Sequence, residues 1–529
     1  MRASTPLALL LTLVLLAPVA PAVPPAGAVP PGPPTATERA GRSGLHVTPS
    51  SYVGGQGLRW TGSLGVPGRR RIVLQQNMNR PGDTWDTIAG FSRRTRANGT
   101  FSFTYPAPSM FGVSFRVKGG PRATSRVTFD AKTQDVALWV SGTDPRRPRS
   151  PGRARPGQPF GVTVDTSPSP AYPSNASGTP VFPGRLVTLQ RRVDGDTWTT
   201  LGRAPAAADG FAFFPGLVEP AGTVVYRARE ESWTRAGSRI GWFPSFPIRI
   251  VVADQPAAPV PPAARGTVTT DTTVTTARAI DTGVAASTTA SRRWLWGPAL
   301  FDFDWERGES LTTAPRGTNP RGTWLDYADG LGKASKHNGG LSLESARGTG
   351  SGDVGTTRAT LVGNAQKYGR WELRLRSRAF RNEPGAAYRM SAELVPANPA
   401  DSDCGAHDIT IAQFTGRGTT MSFGLAAGDR QWRATRRTGG ITNADPAFAV
   451  EVTPRAVTWF LNGKPIGSVR SAAASSDVPM TLRLSLVGSG SAEMRHAGLI
   501  SDWQRAFPLG RGRQAPTAPP LRASTRPTC

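Results

Sequence analysis

One stretch of this chain is written twice. Arg71-Ile72-Val73-Leu74-Gln75-Gln76 is followed by Gly82-Asp83-Thr84-Trp85, by Asn98-Gly99-Thr100-Phe101-Ser102-Phe103 and by Phe115-Arg116-Val117. The same order returns as Arg185-Leu186-Val187-Thr188-Leu189-Gln190-Arg191, Gly195-Asp196-Thr197-Trp198, Asp209-Gly210-Phe211-Ala212-Phe213 and Tyr226-Arg227-Ala228. The runs alternate apolar and polar side chains, which on a strand puts the apolar ones on one face. Asn98-Gly99 and Asp209-Gly210 are hairpin signals, because both residues of each pair tolerate positive φ. The chain therefore carries a duplicated β-unit. Its abundant glycine (60) and proline (49) fit turns and linkers better than helix bundles.

The pattern predicts two sandwiches, over 45–135 and 136–253, that resemble the immunoglobulin-like repeats of exported bacterial proteins. The antibody-type Cys–Trp–Cys framework is missing, so the likeness is architectural. Trp85 and Trp198 are expected to pack in the cores or between the sheets. Asn98-Gly99-Thr100 also fits a glycosylation pattern but is better explained as a turn, and Asn175-Ala176-Ser177 fits the same pattern.

Around these units the chain has a secretory layout. Arg2, an apolar run from Leu7 to Ala17 and small residues at Ala20-Pro21-Ala22 and Ala26-Gly27-Ala28 predict a signal peptide over 1–28. The run is too short to span a bilayer, so a secreted or cell-surface protein without a membrane span is expected. Residues 29–44 read as a disordered leader, 254–292 as a Pro/Thr/Ala-rich linker and 511–529 as a basic flexible tail. The 529 residues carry a net charge of +27, spread over every segment. A nucleic-acid binder would gather it into one stripe, so no nucleic-acid partner is expected. The charge reflects either arginine-rich composition or affinity for the polyanions of an envelope or an acidic polysaccharide.

The region 293–510 alternates strictly. In Tyr368-Gly369-Arg370-Trp371-Glu372-Leu373-Arg374-Leu375-Arg376, Trp371, Leu373 and Leu375 fall on one face, with Arg370, Glu372, Arg374 and Arg376 on the other. Met480-Thr481-Leu482-Arg483-Leu484-Ser485-Leu486 repeats the split, and Ala456-Val457-Thr458-Trp459-Phe460-Leu461 runs into the turn pair Asn462-Gly463. These are strands buried on one face only, in a sandwich of two antiparallel sheets.

These stretches resemble glycoside hydrolase family 16. YGRWELRLRS (368–377), AELVP (392–396) and FAVEVTPRAVTWFLNGKPI (448–466) are similar to that family's inner strands. ALFDFDWERGE (299–309), NGGLSLES (338–345) and SDWQRAF (501–507) match its opening and closing strands. The resemblance implies a concanavalin A-like glucanase jelly roll, and an all-β protein overall: two immunoglobulin-like sandwiches followed by the jelly roll.

It also implies a catalytic strand, Glu-x-Asp-x-Glu or the bulged Glu-x-Asp-x-x-Glu. Here that run is Gly405-Ala406-His407-Asp408-Ile409-Thr410-Ile411. Asp408 keeps the middle aspartate. Ala406 stands at the nucleophile position and Thr410 at the acid/base position, or Ile411 if the bulge exists. Retaining hydrolysis needs two carboxyl groups ~5–5.5 Å apart, and neither alanine nor threonine supplies one. A carbohydrate-binding protein with a degenerate catalytic strand is the leading expectation. Asp408, Arg370, Glu372, Arg374, Arg389 and Glu393 are its candidate contacts to a polysaccharide. Arg389 and Glu393 replace aromatic residues that would stack on sugar, which suits an acidic glycan.

Three other readings stay open. An active hydrolase of β-glucan or a related polysaccharide would use displaced carboxylates, for which Glu372, Glu393 and Glu451 are the nearby glutamates. A polysaccharide lyase is suggested by Arg370-Trp371-Glu372-Leu373-Arg374, although Thr415 stands where that family has histidine. A purely structural surface protein is the third. His46, His337, His407 and His496 are isolated, so no metal or other cofactor is expected, and a monomer is expected. Cys404 and Cys529 either pair in an oxidising compartment or stay as two thiols.

Overall fold

The computed structural model describes residues 43–79, 83–148, 153–168, 179–254, 289–306, 308–312, 322–337, 339–346, 352–379, 385–402, 408–415, 419–438, 441, 445–474, 476, 478–510 and 518–525. The signal peptide, most of the leader, most of the linker, and Cys404, Ala406, His407 and Cys529 lie outside the described residues, as does Asn175-Ala176-Ser177. The fold is all-β, with three sandwiches in chain order.

The first two sandwiches share a strand plan. In the first, Gly44–Thr48, Gly57–Ser63 and Thr100–Pro106 form one sheet, and Arg71–Asn77 and Phe111–Gly119 centre the other. In the second, Ala137–Val140, Phe160–Asp165 and Phe211–Leu217 form one sheet, and Leu186–Asp194 and Gly222–Glu230 centre the other. The register is the same as well: Thr87, Gln75 and Arg116 lie abreast in one unit, and Thr200, Gln190 and Arg227 in the other. Asn98-Gly99 and Asp209-Gly210 are turns, with Gly99 at φ +78° and Gly210 at φ +88°, but the strands they join lie in different sheets, so they do not close the expected hairpins.

The repeated tryptophans do not fill the cores. Trp60 does so in the first unit, fully buried against Phe103, Phe115 and Phe129. Trp85 and Trp198 are half-buried, each with an arginine guanidinium over its ring. An indole covered by a cation keeps its N–H near water and still gains cation–π attraction.

The third sandwich is a jelly roll of two antiparallel sheets. The back sheet runs Lys333–His337, Gly340–Glu344, Ala497–Phe507, Gly369–Ala379, Ala447–Val452, Val457–Leu461 and Lys464–Val469, with Phe301–Phe303 added beside Ala497–Phe507. The front sheet runs Thr323–Ala328, Thr357–Val362, Met480–Val487, Arg389–Pro396, Asp408–Thr415, Thr420–Ala427, Arg430–Arg437 and Ala523–Thr525. Trp371, Leu373 and Leu375 from the back sheet meet Ile409, Ile411, Leu482 and Leu484 from the front sheet in one dry core. Each such side chain contributes ~1.5–3 kcal/mol relative to exposure. The Asn462-Gly463 turn has positive φ at both residues, 48° and 72°, which matches the strand twist of a tight hairpin.

Three boundaries differ from the sequence reading. Thr289 onward belongs to the jelly roll, since Ala290–Arg293 is a short helix seated on the back sheet. Gly44 already opens a strand. Residues 518–525 are not a free tail: Leu521 N donates to Ser468 O at 2.9 Å, and Ala523–Thr525 pairs with Arg430–Trp432.

The three sandwiches are docked on one another. Trp242 of the second joins the jelly-roll core cluster and donates to Thr312 Oγ1 at 2.6 Å. Gly55, Arg239 and Gly308 bring all three units to one point, where a Cβ on either glycine would sit 2.2 or 2.0 Å from Arg239 O. Beside it, Lys336 is buried against Ser109 and lies 3.4 Å from Glu309.

Candidate functional site

The candidate residues divide between the two sheets. Asp408, Thr410, Glu393 and Arg389 lie on the outer face of the front sheet. Arg370, Glu372 and Arg374 lie on the outer side of the back sheet, so the structure does not bring them to the same cleft. That side is covered too, contrary to the expectation of strands buried on one face. Glu372 is fully buried and accepts from Ala290 N at 2.5 Å, Ser291 N at 3.2 Å and Ser291 Oγ at 2.6 Å. It holds the N-terminal turn of the short helix, a site where backbone N–H groups favour a carboxylate. Arg370 pairs with Glu451 at 2.6 Å under the Trp296 ring, and Arg374 is buried beside Trp503. These groups fasten a covering layer and do not face solvent as ligands would.

Register lays out the front face in rows. One row is Thr360, Arg483, Glu393, Thr410, Gly424 and Arg433. The next is Tyr327, Arg358, Ser485, Ser391, Gln413, Ser422 and Thr435. Arg389 lies beyond Ser391 on its strand, and Asp408 lies two residues from Thr410, diagonal to Glu393. Diagonal neighbours on one face stand ~7–8 Å apart at Cα, within side-chain reach.

The electrostatics agree with that placement. Burial pushes the Glu393 carboxyl above the usual carboxylate range and Asp408 adds to the rise, while Ser391, Arg483 and Arg389 pull it back. Burial and the neighbouring Arg358 lower Arg483, against the pull of Glu393 and Asp408. Arg483 Nε also donates to Thr360 Oγ1 at 3.2 Å, and Arg358 lies 4.9 Å over the Tyr327 ring. The face thus centres on two carboxyl groups among arginines, with Tyr327 as its aromatic residue in these rows.

The strand Asp408–Thr415 carries a bulge. Register jumps from Ala392 opposite Ala412 to Glu393 opposite Thr410, which leaves Ile411 as the extra residue. Ile411 is buried in the core, 1% exposed, and Thr410 presents the outward side chain. Neither Thr410 nor Ile411, the two residues that the sequence reading put at an acid/base position, carries an acidic group. The nucleophile position, Ala406, lies outside the described residues.

Arg358, Arg483, Gln413 and Arg433 were absent from the sequence candidates. Alternation in Met480–Val487 already placed Arg483 on the solvent side. What the sequence lacked was the neighbour relation that sets it beside Glu393. Among the described residues no group of three or more His, Cys, Asp or Glu could hold a metal ion, and no helix is long and apolar enough to cross a membrane.

No family model matches the chain, and no curated protein matches it. Solved structures do. The catalytic domain of an endo-1,3-β-glucanase (laminarinase) from Thermotoga petrophila is 16% identical, covering 34% of this chain and 81% of that one, with a TM-score of 0.28. The β-glucanase of Bacillus licheniformis is 15% identical over 40% of this chain and 98% of its own, with a TM-score of 0.30. A GlcNAcα1-4Gal-releasing endo-β-galactosidase from Clostridium perfringens is 14% identical over 41% and 64%, with a TM-score of 0.31. What defines the jelly roll in this chain is its own sheet order and register.

Proposed function

We propose that this chain is a secreted, surface-associated protein whose jelly roll binds a polysaccharide across the outer face of the front sheet, without hydrolysing it. The observation that carries the reading is the row Arg483–Glu393–Thr410 with Asp408 beside it. Where a family 16 enzyme would keep its acid/base glutamate stands Thr410 or, with the bulge counted, the buried Ile411, and arginines lie on the face around Thr410. A threonine hydroxyl cannot protonate a leaving glycosidic oxygen near neutral pH. Arg358, Arg483, Arg389 and Arg433 outnumber Glu393 and Asp408 on this face, which favours a glycan bearing carboxylate or sulfate groups. The docked first and second sandwiches would hold the face at a fixed angle to the envelope.

One observation favours a second reading. Glu393 is diagonal to Asp408, and its carboxyl is raised chiefly by burial and further by the Asp408 charge, the division of labour that an acid and a nucleophile require. In that reading Glu393 protonates the leaving oxygen and Asp408 attacks the anomeric carbon.

One experiment separates them. Full-length protein is incubated with insoluble β-glucan, chitin, alginate and purified cell wall, and both depletion from solution and reducing-sugar release are followed. Depletion without release, weakened by Arg483→Gln, is the expected outcome. Sustained release abolished by Glu393→Gln would replace it with the hydrolase reading.

A further inference from the structure

The internal duplication supplies its own comparison. Arg116 Nε donates to Gln75 Oε1 at 2.9 Å in the first unit, and Arg227 Nε donates to Gln190 Oε1 at 2.9 Å in the second. Each guanidinium then lies over the repeated tryptophan, 4.3 Å from the Trp85 centroid and 4.2 Å from that of Trp198. One hydrogen bond and one ring contact fix the plane of the guanidinium. Its terminal nitrogens are left as pre-set donors for a planar anion.

In the second unit those donors are used. Arg227 Nη1 donates to the Asp326 carboxylate of the jelly roll at 2.8 Å. Arg192, which lies 4.8 Å from the same Trp198 ring, donates to the carbonyls of Ala328, Asp329 and Gly330 at 2.9, 3.0 and 2.6 Å. This copy grips a β-strand end through one carboxylate and three carbonyls.

The first unit keeps half of that grip. Two residues after Gln75 stands Asn77, where Arg192 stands two after Gln190. The Asn77 amide is spent on the carbonyls of Asp83 and Thr84, at 3.4 and 3.1 Å. The carbonyl-gripping arginine is gone and the carboxylate-gripping one remains. Among the described residues no carboxylate meets Arg116, and both Arg116 and Trp85 are partly exposed.

We infer that Gln75, Trp85 and Arg116 form a binding site for the carboxylate of an acidic sugar, a uronate unit of a glycan. Loss of the carbonyl grip disfavours a protein strand as the occupant, and the net charge of +27 favours a polyanion. That the carboxylate belongs to a glycan rests on the polysaccharide-binding reading above. The site itself is separate from the jelly-roll face and would give the chain a second point of attachment to one polymer.

The test uses full-length protein labelled with 5-fluorotryptophan, in which Trp85→Phe identifies the Trp85 fluorine resonance. Oligogalacturonate, a neutral oligosaccharide of equal length and an acidic peptide are titrated in turn. The expected result is a saturable shift of the Trp85 resonance with oligogalacturonate alone, while Trp198, already held by Arg227, stays still. Arg116→Gln should weaken that response about tenfold or more, the loss of one charge-assisted contact. Arg116→Lys, which keeps the charge but not the fork, should weaken it less, and an unchanged unfolding midpoint shows that both variants fold. A silent Trp85 resonance in protein that still binds polymer through Arg483 overturns the site and leaves the jelly-roll reading intact. Silence together with no polymer binding overturns both. A shift with the acidic peptide but not with oligogalacturonate overturns the sugar as ligand.

Discussion

The indole Nε1 of Trp459 donates to the main-chain carbonyl of Thr410 at 2.9 Å, from the back sheet to the front sheet across the jelly-roll core. The carbonyl lies directly beside the bulge at Ile411, where the register of the front sheet shifts. A buried indole needs such an acceptor, and a buried carbonyl needs such a donor.

Trp459→Phe should therefore destabilise the jelly roll by more than lost ring area. The Thr410 carbonyl would be left unsatisfied, at a cost of about 1–3 kcal/mol, with a small cavity added. Urea denaturation should show a lower midpoint at unchanged slope. A neutral substitution would mean that the bulge is held by the front sheet alone.

Glu372 offers a second check. Its carboxylate meets two backbone N–H groups and the Ser291 hydroxyl, and these contacts seat the layer that buries Trp296. Glu372→Leu removes all three bonds from a buried position, so a loss of roughly 2–4 kcal/mol is expected. Limited proteolysis should cut faster around 289–300 in the variant, while strands of the front sheet stay protected in hydrogen exchange. Release of the front sheet instead would show that the layer and the core unfold as one unit.

The faces of the strands were legible, and their neighbours were not. Period-two alternation correctly put Trp371, Leu373 and Leu375 inward, and it put Asp408 and Thr410 outward. Asn462-Gly463 was readable as a turn because positive φ at both residues is a local demand. The pairing of Glu393 with Arg483 joins residues far apart in the chain, and alternation carries no information about it. For the same reason Arg370, Glu372 and Arg374 looked like ligands: a polar face reads the same whether water or a short helix covers it. The duplicated Gln, Trp and Arg positions were visible as a repeat, but only packing showed that the tryptophans lie beneath cations outside the cores.

The buried ion pair beneath the contact between sandwiches can be tested by a double-mutant cycle. Lys336 is buried 3.4 Å from Glu309 and touches Ser109 of the first unit, and burial holds its ammonium below the usual range. Lys336→Met removes the ammonium beside the buried Glu309 carboxylate and should cost up to about 3–5 kcal/mol. Adding Glu309→Leu should recover most of that loss, since apolar replacement of a whole buried pair is often neutral or stabilising. Additive losses in the double variant would show that the two residues do not act as a pair.

Binding on the front face should depend on pH through Glu393. Its carboxyl sits above the usual range because it is buried and because Asp408 lies beside it. In stability terms, a raised carboxyl contributes fully below the ordinary carboxylate value of ~4.3, and the contribution is lost as pH rises through the folded value. Once ionised, Glu393 therefore carries a cost, offset in part by Ser391, Arg483 and Arg389. For an acidic glycan the same charge is repulsive. Lowering pH from the alkaline side toward the usual carboxylate range neutralises a growing share of Glu393 while a sugar carboxylate, titrating near ~3.5, stays ionised. Affinity for polygalacturonate should rise over that interval. Glu393→Gln should flatten the profile and tighten binding at the alkaline end by about three- to tenfold, the scale of one screened charge at this distance. Titration calorimetry at several pH values reads both effects. Affinity that falls steadily toward acid in the parent protein would mean that Glu393 is accepted by the ligand as an ionised partner, and the front face would then suit a neutral or cationic glycan.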